Sequence, residues 1–312
     1  MRWLLHGLVC LAVLGAAPLL GAPLEGAAGE FILLELRVPR VLVGALVGGT
    51  LGLTGAVYQA LFRNGLATPS TVGTMAGATL GALAALVLGA GALLGLPGVA
   101  AAAFLGAALV SALVLSVAAR KRATMGDVLL AGIAVTLASS ALASGLQFTA
   151  DSQALFAATQ WSLGHLPQVG YDALGWLGPL NLGSALALLL LAPALQGLVG
   201  GEELAETQGV PVRRVRQVAL GAGSLGVAAS VAWCGPIAFV GLVVPHVLRG
   251  FGVITYRQLL PLSWLYGAAG LVACDTAARL LLPGRELPVG VLTAAIGAPA
   301  LVWVVARRRS LG

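Results

Sequence analysis

Long apolar runs, separated by short polar or Pro/Gly-rich breaks, constrain the fold of this chain more than any other feature. Of its 312 residues, 59% are hydrophobic and 9% are charged, with a mean hydropathy of +1.00, whereas a soluble domain carries roughly 25% charged residues. The runs predict about ten membrane-spanning helices, since each crossing needs about 20 apolar residues. They cover residues 3–24, 39–62, 70–90, 96–118, 127–149, 174–199, 217–234, 236–250, 258–281 and 288–306. We therefore expect an all-α membrane protein that forms one polytopic domain over residues 1–312.

The sequence leaves little room for chemistry on this chain. It contains no GxxxxGK[ST] phosphate-binding motif, so any ATP-driven motor belongs to another chain. An intramembrane enzyme would need a GxSG-like nucleophile, an HExxH motif or clustered acids, and none occurs. An ion-coupled carrier would need acids on several spans, but only Asp127 and Asp275 lie near span interiors. Both classes are remoter alternatives to a transport subunit that works with an ATPase.

The distribution of basic residues predicts the orientation, because cytoplasmic loops retain Lys and Arg during insertion. With Arg2 inside and alternating spans, most of the 17 basic residues are cytoplasmic: Arg2, Arg63, Arg120, Lys121, Arg122, Arg213, Arg214, Arg216, Arg249, Arg257 and Arg307 to Arg309. Both termini are then cytoplasmic, and the net charge of +6 reflects topology and contact with anionic lipid, with no nucleic-acid partner. The first apolar run fits a retained span better than a cleaved signal peptide, which is the alternative.

Residues 235–249 form an apolar run that is interrupted by Pro236, Gly241 and Pro245 and ends near His246. Each proline removes a backbone donor, and the freed carbonyls must be satisfied by neighbouring helices or by water. We therefore expect this segment to lie against protein or a cavity of a transport path. His246 has no second ligand at helical spacing, and the same holds for His165, so we predict a structural or gating role and no metal site.

The longest polar interruption lies between residues 200 and 216. Glu202, Glu203 and Glu206 open a short helical pattern, which acidic residues favour near a helix N-terminus. Gly209 can end this helix, and Pro211 can open a second one. The pattern predicts a pair of short amphipathic cytoplasmic helices that form a docking surface for the missing motor.

Several motifs together resemble those of a known family. They are Arg37-Val-Pro-Arg40, the run from Gln59 through Asn64 and Leu66 to Pro69, the segment from Gly235 to His246, Glu286 to Gly290, and Gly297-Ala-Pro299. This series resembles, in order and spacing, the permeases that import iron-siderophores, haem and cobalamin, which are the membrane subunits of type II ABC importers. The chain departs from the usual Asn-Pro-Leu by having Gly65, which leaves the geometry of that turn open.

The resemblance implies an assembly and a set of residue roles. The resemblance implies a homodimer of ten-helix subunits. Two ATPase subunits that bind ATP are expected on one side of this dimer, and a substrate-binding protein is expected on the other side. No cofactor is then expected on this chain. Arg37, Arg40 and Arg279 match the positions that present arginines to the binding protein, where charges set register and speed encounter. Contact with lipid phosphate, or an internal pair of Asp275 with Arg279, is the alternative.

The resemblance also assigns the cytoplasmic side and the path. The predicted roles are ATPase coupling for Glu202, Glu203, Ala205, Gly209, Val210 and Pro211, a cytoplasmic gate for Asn64, Leu66, Thr124 and Met125, and a path or structural role for Gln59, Pro236, Gly241, Pro245 and His246. The expected function is translocation of an iron chelate, a siderophore or haem, across the bacterial cytoplasmic membrane. Cobalamin is the alternative cargo.

Overall fold

The computed structural model describes residues 2–21, 26–89, 97–120, 123–167, 170–282 and 286–309. Some of the predicted features lie outside the described residues: Lys121, Arg122, Arg285, span positions 22–24, 90 and 96, and the side chains of Arg2 and Arg307 to Arg309. Within the described part, the chain consists of helices and connecting loops, with no strand.

The α-helices follow the predicted spans closely. They are α1 (Arg2–Ala16), α2 (Gly26–Phe31), α3 (Val38–Leu61), α4 (Thr74–Leu88), α5 (Gly98–Ala118), α6 (Met125–Thr149), α7 (Ser152–Ser162), α8 (Asp172–Leu190), α9 (Ala192–Gly197), α10 (Glu202–Thr207), α11 (Val212–Cys234), α12 (Val240–Gly250), α13 (Tyr256–Leu281) and α14 (Val289–Arg309). A π-helical segment at Ile32–Arg37 leads into α3, and short 3₁₀ turns lie at Ala17–Leu19, Pro69–Val72 and Leu198–Gly200. Each of the ten predicted runs therefore contains one main helix.

Five helical stretches of the described chain are long and apolar enough to cross a membrane: Gly29–Leu61, Gly98–Ala118, Met125–Thr149, Asp172–Leu190 and Val212–Cys234. Shorter apolar helices lie at His6–Leu19, Thr74–Leu88, Val240–Gly250 and Val289–Val302. Helix α13 has 26 residues, but it carries charged side chains, which lower its hydropathy. Thus the predicted crossings differ in length, because prolines and glycines shorten several of them.

Two sequence predictions need correction. Helix α7 and the segment from Gly26 to Arg37 are helical, although the sequence pattern did not predict helices there. The second short helix predicted after Pro211 is not separate, because α11 starts at Val212 and continues without a break to Cys234. Only the first member of the predicted pair, α10, is a free-standing short helix.

Glycines let the central helices approach closely, because a helix face without Cβ atoms leaves room for the backbone of its neighbour. A Cβ atom on Gly48 would lie 2.3 Å from the Gly267 carbonyl oxygen, so α3 and α13 touch through their backbones. A Cβ on Gly77 would lie 2.5 Å from the Gly106 carbonyl oxygen, which joins α4 and α5 in the same way. Helix α3 lies at the centre of this packing, with most of its side chains buried.

The helices define two ends of the molecule. The basic end contains the turn at residues 62–67, residues 119–120 and 123–124, the segment 198–211 and the loop at 251–255, and His6 near the start of α1 packs there against Phe251. The opposite end contains Arg40, Asp275, Glu286 and residues 163–167, which follow α7. Helix α14 starts near Gly164 at the opposite end and runs towards the basic end, where its Leu301 lies near Leu66.

Candidate transport path and coupling surface

The broken segment at residues 235–249 packs against α3. Phe239 has a left-handed backbone (φ 67°), and α12 begins only at the next residue. Pro245 cannot donate to the carbonyl of Gly241 four residues earlier. Instead, Nε2 of Gln59 on α3 donates to the Gly241 oxygen at 3.3 Å and to the Leu242 oxygen at 3.4 Å. For the Gly241 carbonyl freed by Pro245, the prediction that a neighbouring helix supplies the donor is therefore confirmed.

Gln59 also joins α12 to the turn that follows α3. Its Oε1 accepts a hydrogen bond from Nη1 of Arg249 at 2.5 Å, and its backbone oxygen accepts one from the amide of Asn64. In the turn, the amide of Leu66 donates to the Asn64 side-chain oxygen at 2.9 Å. The turn is thus closed by a side-chain bond of Asn64, even though glycine replaces the proline that is usual after this residue.

An apolar cavity of about 360 Å³ lies beside this turn. Its lining includes the predicted gate residue Leu66, Phe239 and the predicted path residue Gly241, together with Leu51 of α3 and Leu301 of α14. Leu66 is 54% exposed. The cavity therefore places a predicted gate residue and a predicted path residue on one surface, which is mostly apolar apart from Thr68, Ser70 and Thr71. His246, also predicted for the path, is buried, and its Nδ1 lies 2.8 Å from the Leu242 oxygen within the same helix.

The predicted coupling residues form a short helix and a reverse turn over residues 202–211 at the basic end, here called the coupling turn. Ala205 of α10 is fully buried, and its carbonyl accepts a hydrogen bond from the amide of Val210 at 2.9 Å. Gly209 has a positive φ of 80°, which lets the chain reverse before Pro211 and α11. Glu203, in contrast, is exposed. The coupling turn thus has a buried side at Ala205 and an exposed acidic side at Glu203.

The predicted gate residues Thr124 and Met125 lie next to this coupling turn. Thr124 caps α6, because its side chain accepts from the amide of Asp127 and the Asp127 carboxylate accepts from the Thr124 amide. Met125 lines a cleft of about 530 Å³ together with Arg63, Glu202 and other residues of the 61–63 and 200–204 segments. The cleft brings the predicted coupling segment together with the predicted gate residue Met125 and with Arg63, which directly precedes the predicted gate residue Asn64.

Two arginines of α11 form hydrogen bonds to other segments of the basic end. Nη2 of Arg213 donates to the Ala119 oxygen at 2.6 Å, and Nη1 of Arg216 donates to the Ala123 oxygen at 2.7 Å. Nη2 of Arg216 also contacts both carboxylate oxygens of Glu202, at 2.9 and 3.1 Å. The sequence analysis used these arginines only for topology. Their position in the first turns of a helix, where the dipole disfavours cations, was the signal that they need specific partners.

The three arginines predicted for docking lie in one cluster at the opposite end. Arg40 binds Asp275 in a bidentate manner, at 2.8 Å from Nη2 and 3.0 Å from Nε, and Glu286 at 2.8 Å from Nη1. Arg279 approaches the same Asp275 at 3.4 Å, so the internal pair named as an alternative is present. Nη1 of Arg37 donates to the Pro18 oxygen at 3.2 Å. Arg40 is only 6% exposed, and thus it serves as a counter-ion inside the protein.

The loop after α7 is fixed at this end by close backbone contacts. The His165 amide donates to the Cys234 oxygen at 2.8 Å, and a Cβ on Gly164 would lie 2.5 Å from the Pro236 oxygen. Partial desolvation and the positive charge of Arg40 lower the pKa of His165, although the residue keeps substantial solvent exposure. Among the described residues, no three His, Cys, Asp or Glu side chains are grouped so that they could hold a metal ion.

Comparisons with known proteins identify the family. Residues 8–307 match the model of the FecCD transport family. The chain is 38% identical to the vitamin B12 import system permease protein BtuC of Klebsiella pneumoniae, over 92% of this chain and 86% of the relative. It is 36% identical to the hemin transport system permease protein HmuU of Yersinia pestis (89% and 84% covered). It is also 38% identical to the cobalamin import system permease protein BtuC of Halobacterium salinarum (96% and 79%).

A solved structure supports the same assignment. The fold is similar to that of a metal-chelate type ABC transporter in an inward-facing conformation, with a TM-score of 0.89 and 27% sequence identity over 98% of this chain and 99% of the other. Sequence and fold agree over nearly the full length. The chain is therefore a member of the FecCD transport family, a family of ABC importer permeases.

Proposed function

We propose that this importer permease moves a bulky metal chelate along the apolar surface beside Leu66, Gly241 and Phe239. The observation that carries the proposal is this cavity of about 360 Å³, which adjoins the predicted gate turn and is lined mainly by apolar residues, with hydroxyl groups only from Thr68, Ser70 and Thr71 among the described residues. A transport path must release its cargo, and a mostly apolar lining offers the cargo few polar groups that could bind it tightly. The sequence favoured an iron chelate, a siderophore or haem, as the cargo. The relatives named for vitamin B12 and cobalamin make a corrinoid the first cargo to test.

The experiment is uptake by proteoliposomes that contain the permease with its co-purified partners. Cyanocobalamin, haemin and a ferric siderophore are offered separately, with and without ATP inside. We expect ATP-dependent accumulation of one of these chelates. Leu66→Trp should reduce this accumulation, since the larger side chain fills the cavity, while exposed Leu186→Trp on α8 serves as the control. Equal uptake by both variants and the parent would contradict the assigned path.

We propose that the basic end is cytoplasmic and that residues 200–216 contact a separate ATPase, which binds the ATP. The positive-inside rule supports this orientation. The exposed edge of α10, formed by Glu203 and Leu204, supports the contact because a partner can reach it. The buried Ala205 packs the same helix against the rest of the chain. In this account the whole chain is one permease domain, and Asn64, Leu66, Thr124 and Met125 control its inner opening.

We also propose that the permease acts as a homodimer with the path between two copies. Support comes from α6, which is only 22% buried over its most apolar window. Its uncovered face carries Leu130, Ile133, Leu137 and Leu142, each more than half exposed. Such a face meets lipid or another copy of the chain. The dimer proposal predicts a mass of two permease chains in detergent.

We propose that a substrate-binding protein contacts the opposite end of the molecule, but that the arginines at this end have a role other than direct docking. Arg37, Arg40 and Arg279 contact groups within the chain, so we propose that they hold the shape of this end and do not pair directly with the binding protein. Arg279→Gln should then reduce capture of the binding protein only in proportion to its loss of thermal stability. Loss of capture at unchanged stability would favour direct pairing.

A further inference from the structure

The guanidinium group of Arg216 joins two segments that are far apart in the sequence. One of its nitrogens holds the Ala123 oxygen, and another holds the carboxylate of Glu202, the first residue of α10. Arg216 is 7% exposed, whereas the Glu202 side chain is 48% exposed. A planar guanidinium fork suits such a double contact, because its donors have a fixed relative geometry. The buried arginine thus connects the exposed coupling helix to the loop between α5 and α6.

This loop ends at the start of α6. Ala123 precedes Thr124, whose reciprocal hydrogen bonds with Asp127 fix the first turn of the helix. A displacement of Ala123 must therefore move the cap of α6 and the adjacent gate residue Met125. At the other side of the link, Glu202 lies on the surface that we assign to the ATPase. The contacts form a short continuous chain of charge-assisted hydrogen bonds from that surface to the gate.

We propose that Arg216 is the positioning residue that transmits movement of α10 to the inner gate, through Glu202 on one side and the Ala123 carbonyl on the other. This inference rests on the proposed function, in which residues 200–216 contact an ATPase. It goes further by assigning the transmission to one side chain. Arg257 in the first turn of α13 is the comparison, because it is an exposed arginine at the same end of the molecule and lies outside residues 200–216.

The test compares Arg216→Gln, Arg216→Lys, Glu202→Gln and the control Arg257→Gln in the complete complex in proteoliposomes. Three quantities are measured: ATPase subunits bound per permease, ATP hydrolysis, and cargo transported per ATP hydrolysed. We expect Arg216→Gln to bind the ATPase and hydrolyse ATP while cargo per ATP falls about tenfold, because the variant loses both charge-assisted contacts of the guanidinium group. Arg216→Lys, which keeps the charge but can hold only one partner well, should give an intermediate value.

A double-mutant cycle makes the inference specific. Glu202→Gln combined with Arg216→Gln should transport no less cargo per ATP than Arg216→Gln alone, because both changes break the same link. Additive losses, or unchanged cargo per ATP in Arg216→Lys and Arg216→Gln, would overturn the inference. If Arg216→Gln lowers expression, Arg216→Lys at unchanged thermal stability decides the matter. Failure of the parent permease to bind any ATPase would instead overturn the proposed function itself.

Discussion

At the scale of single residues, charges that sit within apolar segments have specific partners. Arg40 and Asp275 are separated by 235 positions in the sequence, and both are nearly fully buried. The arginines of this end broke the expected charge distribution, and that anomaly was visible in the sequence. Their partners were visible only in part: Asp275 and Arg279 are four residues apart on one helix, whereas Arg40 reaches them through the packing of α3 against α13. Periodicity carries no information about such a long-range pair.

Removal of Arg40 should destabilise the protein strongly. In Arg40→Gln, the buried Asp275 keeps only the longer contact with Arg279, and breaking a buried pair costs about 3–5 kcal/mol. The matched control is Glu286→Gln, whose side chain is 48% exposed and whose pair with Arg40 is worth about 0–1 kcal/mol. Thermal unfolding in detergent, followed by the loss of monodisperse protein, measures both. Equal melting temperatures for Arg40→Gln and the parent would show that the buried pair does not stabilise the fold.

At the scale of helices, the predicted spans were close to the observed ones wherever a long apolar run had clear ends. The span predicted over 39–62 is α3 at Val38–Leu61, and the span over 258–281 is α13 at Tyr256–Leu281. The prediction over 236–250 placed the start of the helix too early, because Gly235 and Phe239 adopt positive φ. Helix α7 was missed since its 11 residues are too short and too polar for a membrane-span pattern.

Close helix packing predicts a large difference between two glycine substitutions. In Gly48→Val, the new Cβ would lie 2.3 Å from the Gly267 oxygen, so α3 and α13 must separate at a cost of about 1–3 kcal/mol. In the control Gly183→Ala on α8, nothing lies within 4 Å, and the change should be neutral or stabilising by up to about 1 kcal/mol. Melting temperatures of the two variants check this. A stable Gly48→Val protein with normal transport would contradict the assigned contact.

At the scale of the whole molecule, the two ends differ in what they hold. The basic end gathers the segment 200–204, residues 61–63 and Met125 at the start of α6 around one cleft. The opposite end gathers buried ion pairs and the clamped loop after α7. The motif series alone pointed to the family and to most of these residues. It did not reveal the links between them, because Gln59 with Arg249, and Arg216 with Glu202, meet only when α11 and α12 fold against α3 and α10.

Orientation in the membrane is tested by labelling of single cysteines. The native thiols at Cys10, Cys234 and Cys274 are first replaced by alanine, and a cysteine is then placed at Glu203 or at Asp151, both of which are exposed. With the basic end inside, a membrane-impermeant maleimide should label Asp151→Cys in intact cells and Glu203→Cys only after permeabilisation. The reverse pattern would invert the proposed topology.

The central claim is that this permease is driven by a separate ATPase through the α10 surface. The most direct measurement is affinity purification in mild detergent, with counts of co-purifying chains and of ATP hydrolysed, for the parent and for a Glu203→Ala, Leu204→Ala variant. The exposed pair at Leu186 and Leu190, changed to alanine, serves as the control. We expect an ATPase subunit to co-purify with the parent and the control, and to be lost from the α10 variant at unchanged thermal stability. A permease that transports its cargo alone, without ATP or any ATPase chain, would contradict the account.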